Sequence, residues 1–286
     1  MKSTKSLTAI IAFGFIIGMM PFAKAQGPYL TLGAGYAFGA NNFLLGTEST
    51  TNSNSGGFTS TQTVLNVGLG KGINMGGCLG YMFNKNVGIE LGVGYLLGSR
   101  IMVDASTDVS SSGSIDKSTT EWQCRSLRII PAFKVCGGSD KINPYLKFGL
   151  IMGMMNSAME YNNSETTSGS TINRSVREVK YTGTTSFGIL GCAGVNYKLN
   201  SKIMLFAECN LLAQSFTLAK SVITKDETNG KDNLASMTTN QKETIYSKEV
   251  TFDSNATVDK GSPKKGLAFS LPFSSLGINV GIQIAF

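Results

Sequence analysis

The sequence predicts an all-β chain that closes as an eight-stranded antiparallel up-and-down barrel across a membrane, preceded by a cleaved export signal. Three observations carry that prediction. Glycine-rich segments alternate apolar and small or polar residues with period two. Short and long polar connections alternate between those segments. Beyond the N-terminus no apolar run reaches the roughly 18 residues that a membrane helix needs.

The elements follow in chain order. Residues 1–25 are read as a secretory signal peptide: Lys2 and Lys5 make a basic start, Leu7 to Met20 an apolar stretch, and Ala23-Lys24-Ala25 a cleavage site. No Cys follows to suggest a lipoprotein. Losing Lys2, Lys5 and Lys24 lowers the net charge from +7 to +4. What remains is scattered, which argues against nucleic acid as a partner.

Residues 26–286 form the barrel domain, with strand-like segments near 28–39, 63–83, 87–99, 122–136, 144–160, 180–199, 202–219 and 267–286. The clearest runs from Val87 to Leu97. Val87, Ile89, Leu91, Val93 and Tyr95 share one face; Gly88, Glu90, Gly92 and Gly94 share the other. Leu127, Ile129, Phe133 and Val135 repeat the pattern, as do Phe187, Ile189, Val195 and Tyr197. Short connections fall at Asn84-Lys85-Asn86, Gly137 to Asn143 and Asn200-Ser201. Long polar loops fall at about 40–62, 100–121, 161–179 and 220–266. A barrel crossing an outer membrane has this form, with short periplasmic turns, long external loops, an apolar outside and a polar inside. Hydrocarbon offers no partner to backbone groups, so the sheet has to close. A soluble β-sandwich gives no reason for gathering every long loop at one end.

The chain ends on GINVGIQIAF, residues 277–286, with Ile278, Val280, Ile282, Ile284 and Phe286 on one face. This strand is expected to close the barrel against residues 28–39. Upstream, Leu267, Phe269, Leu271 and Phe273 are odd-numbered, whereas the apolar set is even from Leu276 onward. A one-residue bulge near Pro272 to Ser275 would reverse the facing. Tyr81, Phe83, Phe133, Tyr197 and Phe286 lie near short turns or the C-terminus, where an aromatic girdle belongs.

On this topology, these strand dyads and the terminal Phe286, residues 27–286 resemble the small outer-membrane β-barrel family, the eight-stranded group of OmpA-, OmpX- and OmpW-like barrels. The resemblance implies a monomer in the cell outer membrane of a Gram-negative bacterium, in contact with its lipids. It also implies that the C-terminal strand, through Ile282, Ile284 and Phe286, is the signal read by the outer-membrane assembly machinery.

No enzyme is expected. Barrel enzymes of the outer membrane, as families, use a His with Ser, Asp or Glu, and this chain has no His. No catalytic, cofactor-binding or metal residues are assigned. Gly33 to Gly39 resembles a relaxed dinucleotide fingerprint, but no helical period follows it. It is read, with Gly68, Gly70 and Gly72, as small residues on the barrel interior. Of five cysteines, Cys78, Cys124, Cys136 and Cys192 face inward by parity and Cys209 outward. They are read as small filler, with a disulfide between two inward ones as the alternative.

Parity places Glu90, Arg128, Lys134, Lys147, Lys198 and Glu208 inside. Either they pair and stiffen the core, or they line a narrow passive channel that leans toward small anionic solutes, four bases facing two acids. Gly88, Gly92, Gly94, Gly188, Gly194 and Gly281 would leave room there for water. The leading expectation is a structural or surface-interaction role, in envelope integrity or in adhesion. The external loops, above all 220–266, would meet an extracellular ligand.

Overall fold

The computed structural model describes residues 27–40, 44–54, 57–137, 141–251 and 259–286; the expected signal peptide lies outside them. Sixteen strands are described: β1 (Gly27–Gly39), β2 (Leu44–Asn54), β3 (Gly57–Val67), β4 (Gly72–Met82), β5 (Val87–Gly98), β6 (Ile101–Val109), β7 (Ile115–Cys136), β8 (Ile142–Ser168), β9 (Thr171–Gly183), β10 (Ser186–Lys198), β11 (Ile203–Thr228), β12 (Lys231–Asp232), β13 (Glu243–Ser247), β14 (Lys264–Leu267), β15 (Ser270–Pro272) and β16 (Ser275–Ala285).

Eight of them make a closed ring. β1 pairs with β4, β4 with β5, β5 with β7 and β7 with β8. β8 then pairs with β10, β10 with β11, β11 with β16, and β16 returns to β1, every pair antiparallel. The ring has no edge, so no barrel strand is left with an unpaired side. The chain end is held in it: Ala285 opposes Tyr29, and the Phe286 N–H donates to the Pro28 carbonyl at 3.1 Å. Period-two sequence sorts the two faces. Leu32, Leu79, Leu91, Phe148, Ile189 and Val280 are exposed on the outside, whereas Tyr29, Glu90, Lys134, Tyr145 and Phe206 are buried within.

The expected bulge at 272–275 does not occur. Ser215 opposes Pro272 and Leu212 opposes Ser275, so one register runs through. Leu271 and Phe273 keep the inward parity of Ser275 and Gly277 and are buried. The apolar set changes face because the interior changes character at this height: polar below, apolar above.

The four long connections are largely β structure. β2 and β3 form a hairpin, and β2 lies parallel to β6. β6 and β9 extend the sheet along the upper parts of β7, β8 and β11. Within 220–266, β13 pairs with β11 and β14 with β13. These segments are rich in Ser, Thr and Asn and bury few side chains beyond Val103 and Val179, so no sustained apolar alternation marks them as strands. The 22, 27 and 26 residues of β7, β8 and β11 far exceed the roughly 9–11 needed to span a bilayer. Only residues 63–67 of the second expected segment join the external hairpin, as the end of β3. Gly68 to Gly72 is then a turn and strand start rather than a stretch of interior wall. A Cβ on Gly68 would strike the Gly39 backbone, and one on Gly70 the Ser274 carbonyl.

β9 and β10 are one strand with a break. Ser157 opposes Thr182 and Gly153 opposes Ser186 in a single register. Between them Met155 takes a left-handed φ of 52° and is 79% exposed. Inward parity on β8 changes there, from odd (Ile151, Gly153) to even (Asn156, Ala158). The β7–β8 register slips by one residue at the same point.

Candidate functional site

The barrel interior is built in two levels. In the lower one, Glu90 on β5 is the hub. Its carboxylate accepts hydrogen bonds from the Tyr29 hydroxyl at 2.7 Å and from the ammonium groups of Lys134 at 3.1 Å and Lys147 at 3.0 Å. Lys147 reaches on to Glu208 at 3.1 Å. Glu208 also accepts from the Tyr145 hydroxyl at 2.9 Å and from Asn279 Nδ2 at 3.2 Å. Lys134 donates across the barrel to Gln283 Oε1 at 3.2 Å, with its ammonium 4.8 Å from the Tyr29 ring centroid and 4.5 Å from that of Tyr145. Two ammonium groups and two carboxylates thus share a buried chain in which each charge has an opposite neighbour. That is the condition under which buried charge is tolerated.

Aromatic rings lie flat on the inner wall, and glycine gives them space. A Cβ on Gly80 would collide with the Tyr29 ring, on Gly194 with Tyr145, and on Gly33 or Gly281 with Phe206. The room expected for water at Gly194 and Gly281 is therefore filled by rings. Gly92 and Gly94, by contrast, border a cavity of about 120 Å³ that Arg128, Ile130 and Leu190 line together with Glu90, Lys147 and Glu208 of the network.

The upper level is apolar. Leu96, Trp122, Cys124, Phe216, Leu218, Leu271 and Phe273 are buried in one cluster with Leu69, which reaches in from the turn before β4. Phe216 and Phe273 meet edge to face, with centroids 5.2 Å apart. Trp122 stacks on Tyr181 at 5.1 Å. A polar chain crosses beneath this roof. Ser126 Oγ donates to Asn156 Oδ1 at 2.8 Å, Asn156 Nδ2 donates to the Thr184 carbonyl at 2.9 Å and to Ser186 Oγ at 3.0 Å, and Gln214 Nε2 donates to Ser186 Oγ at 2.8 Å. Asn156, with 0% exposure, therefore ties the corner where β8 and β9–β10 change facing.

Of the six charges assigned to the interior, Glu90, Arg128, Lys134 and Lys147 are buried, and the Glu208 side chain is 12% exposed. Lys198 is the exception. It has inward parity but is the last residue of β10, where its side chain clears the rim into solvent, and it is exposed. Ile282 and Phe286 are exposed on the outer face, and Ile284 is partly so. Tyr29, Tyr145, Asn156, Gln214 and Gln283 are not among the residues assigned from sequence, although inward parity marks all of them except Asn156, which lies beyond the change of facing on β8. The five cysteines are free thiols. Among the described residues no group of His, Cys, Asp or Glu is placed to hold a metal ion.

The family model for the outer membrane protein beta-barrel domain matches residues 9–240. No curated protein matches the chain. The crystal structure of Neisserial surface protein A is similar at a TM-score of 0.34 and 12% identity, covering 92% of this chain and 100% of that one.

Proposed function

We propose, from the premise that this chain belongs to the outer-membrane protein β-barrel family, that it is a closed, non-conducting and non-enzymatic barrel whose external sheet is its working surface. The role would be in envelope integrity or in adhesion to an extracellular ligand. One observation carries the reading: the interior is obstructed twice. The Lys134–Glu90–Lys147–Glu208 chain crosses the lower level, and above it Leu96, Phe216, Leu271 and Phe273 pack to 1% exposure or less. A hydrated ion following the axis would have to separate paired charges and then enter an apolar roof. Both steps are costly in a low-dielectric interior.

An interior committed to packing leaves the outside for recognition. There the connections are held as strands, a pre-organised surface that loses less entropy on binding than flexible loops would. Export by residues 1–25, a monomeric state and recognition of Ile282, Ile284 and Phe286 by the assembly machinery belong to the same proposal. The test is planar-bilayer recording of the purified protein. A flat trace is expected at voltages where a porin opens. Discrete openings would replace this reading with the narrow channel.

A further inference from the structure

Arg128 stands between the two levels with 1% exposure. Its Nε donates to Gln214 Oε1 at 3.1 Å, and its guanidinium lies 5.3 Å from the Phe273 ring centroid. Nη1 and Nη2 are buried and have no hydrogen-bond partner among the described residues. The residue borders the 120 Å³ cavity, whose lining also includes the ion-paired Glu90, Lys147 and Glu208. Below it, Lys134 and Lys147 are balanced by Glu90 and Glu208. Arg128 is thus a further interior cation, and no described carboxylate pairs with it. A buried guanidinium with two free donor groups is an unfavourable arrangement unless something accepts from them.

We infer that this cavity binds a small oxyanion through Nη1 and Nη2 of Arg128. With Nε committed to Gln214, the remaining donors form the end-on fork that matches two oxygens of one anion. The Gln214 bond and the Phe273 ring fix the plane of the fork, so little ordering remains to be done on binding. Gly92 and Gly94 leave space: a Cβ at either would meet nothing nearer than 3.5 Å. The cavity has room for several water-sized groups, enough for an oxyanion with part of its hydration. The inference requires no conduction path, because the anion can be enclosed when the strands close during assembly. It therefore stands or falls separately from the bilayer recordings.

Selenate is a suitable probe. The protein is refolded from urea into detergent over a range of selenate concentrations, or with chloride at equal ionic strength, and selenium retained per chain is measured after gel filtration. Saturable binding of one selenate per chain is expected, roughly 10- to 100-fold weaker in Arg128→Met. Crystals of the wild-type protein refolded with selenate should show an anomalous selenium peak within hydrogen-bonding distance of Nη1 and Nη2. This second measurement decides the matter even if Arg128→Met does not fold. Absence of saturable binding, unchanged affinity in Arg128→Met, or ordered water alone beside the guanidinium would each overturn the site.

Discussion

The lower and upper levels of the interior are enclosed by the same eight strands yet held by opposite means. Below, Glu90, Lys134, Lys147 and Glu208 depend on one another's charge and on hydroxyl and amide partners from distant strands. Above, Phe216, Phe273, Leu96 and Leu271 depend on filled volume. The strand pattern allows both, because period two decides only which side chains point inward, not what they must be. A barrel can therefore be obstructed by electrostatics at one height and by packing at another. The two obstructions should fail under different substitutions.

Removing the hub should have the largest effect. Glu90→Ala deprives Lys134, Lys147 and Tyr29 of a shared acceptor, and is expected to cost about 4–5 kcal/mol in urea unfolding from detergent or lipid. Glu90→Gln keeps the shape but not the charge and should recover less than half of that. Full recovery by Gln would mean that packing rather than charge holds the lower level. Phe216→Ala should come next, at about 3–4 kcal/mol, since the lost ring leaves a cavity that the neighbouring strands fill only in part. Phe216→Leu, which preserves apolar volume, should cost below about 1.5 kcal/mol. If Leu were as damaging as Ala, the roof would depend on the specific Phe216–Phe273 ring contact.

The smallest effect belongs to the external sheet. Asp226 on β11 accepts from Arg177 Nε at 2.6 Å and from Asn233 Nδ2 at 3.1 Å. Burial works against its ionisation, but the Asn233 hydrogen bond and the Arg177 hydrogen bond and charge prevail and hold the carboxyl below the usual carboxylate range. A depressed value in the folded state means that the contribution is complete above the unfolded value of about 4 and is lost as pH falls through the folded one. Arg177 is half exposed, so solvent screening limits the contribution to about 0.2–1 kcal/mol. Hydrogen-exchange protection of the β9–β11 ladder should drop between pH 5 and pH 3 by roughly this amount, and Asp226→Asn should flatten the dependence. An equal drop in Asp226→Asn would assign it to other groups.

The ring itself was legible in the sequence. The 87–97 dyads are β5 within a residue, residues 28–39 do meet the C-terminal strand, and Glu90, Arg128, Lys134 and Lys147, inward by parity, are buried. Three features were not legible, for physical reasons. The external strands are mostly polar and bury only a few side chains such as Val103 and Val179, so the only periodic signal available, apolar alternation, is too short in them to read. Which inward charges meet depends on contacts across the barrel, such as Lys134 on β7 with Gln283 on β16, and period two carries no information about the opposite wall. The direction of Phe273 was misjudged because apolar was equated with lipid-facing. That holds only where the interior is polar. Below Ser275 it is, and at Phe273 it is not.

β7, β8 and β11 run without interruption from the barrel wall into the external sheet, and this governs how a protease would find the surface. Cleavage needs an extended segment free to enter an active-site cleft, and a paired strand must first be peeled from its neighbours. On this external surface the chain reverses in exposed turns, two residues long at 169–170 and 229–230 and five at 110–114, with glycine in left-handed backbone at Gly113, Gly169 and Gly230. Nicks should concentrate at such tips. Each would leave both fragments hydrogen-bonded into the same sheet, so that shaving intact cells cuts the chain without stripping the surface.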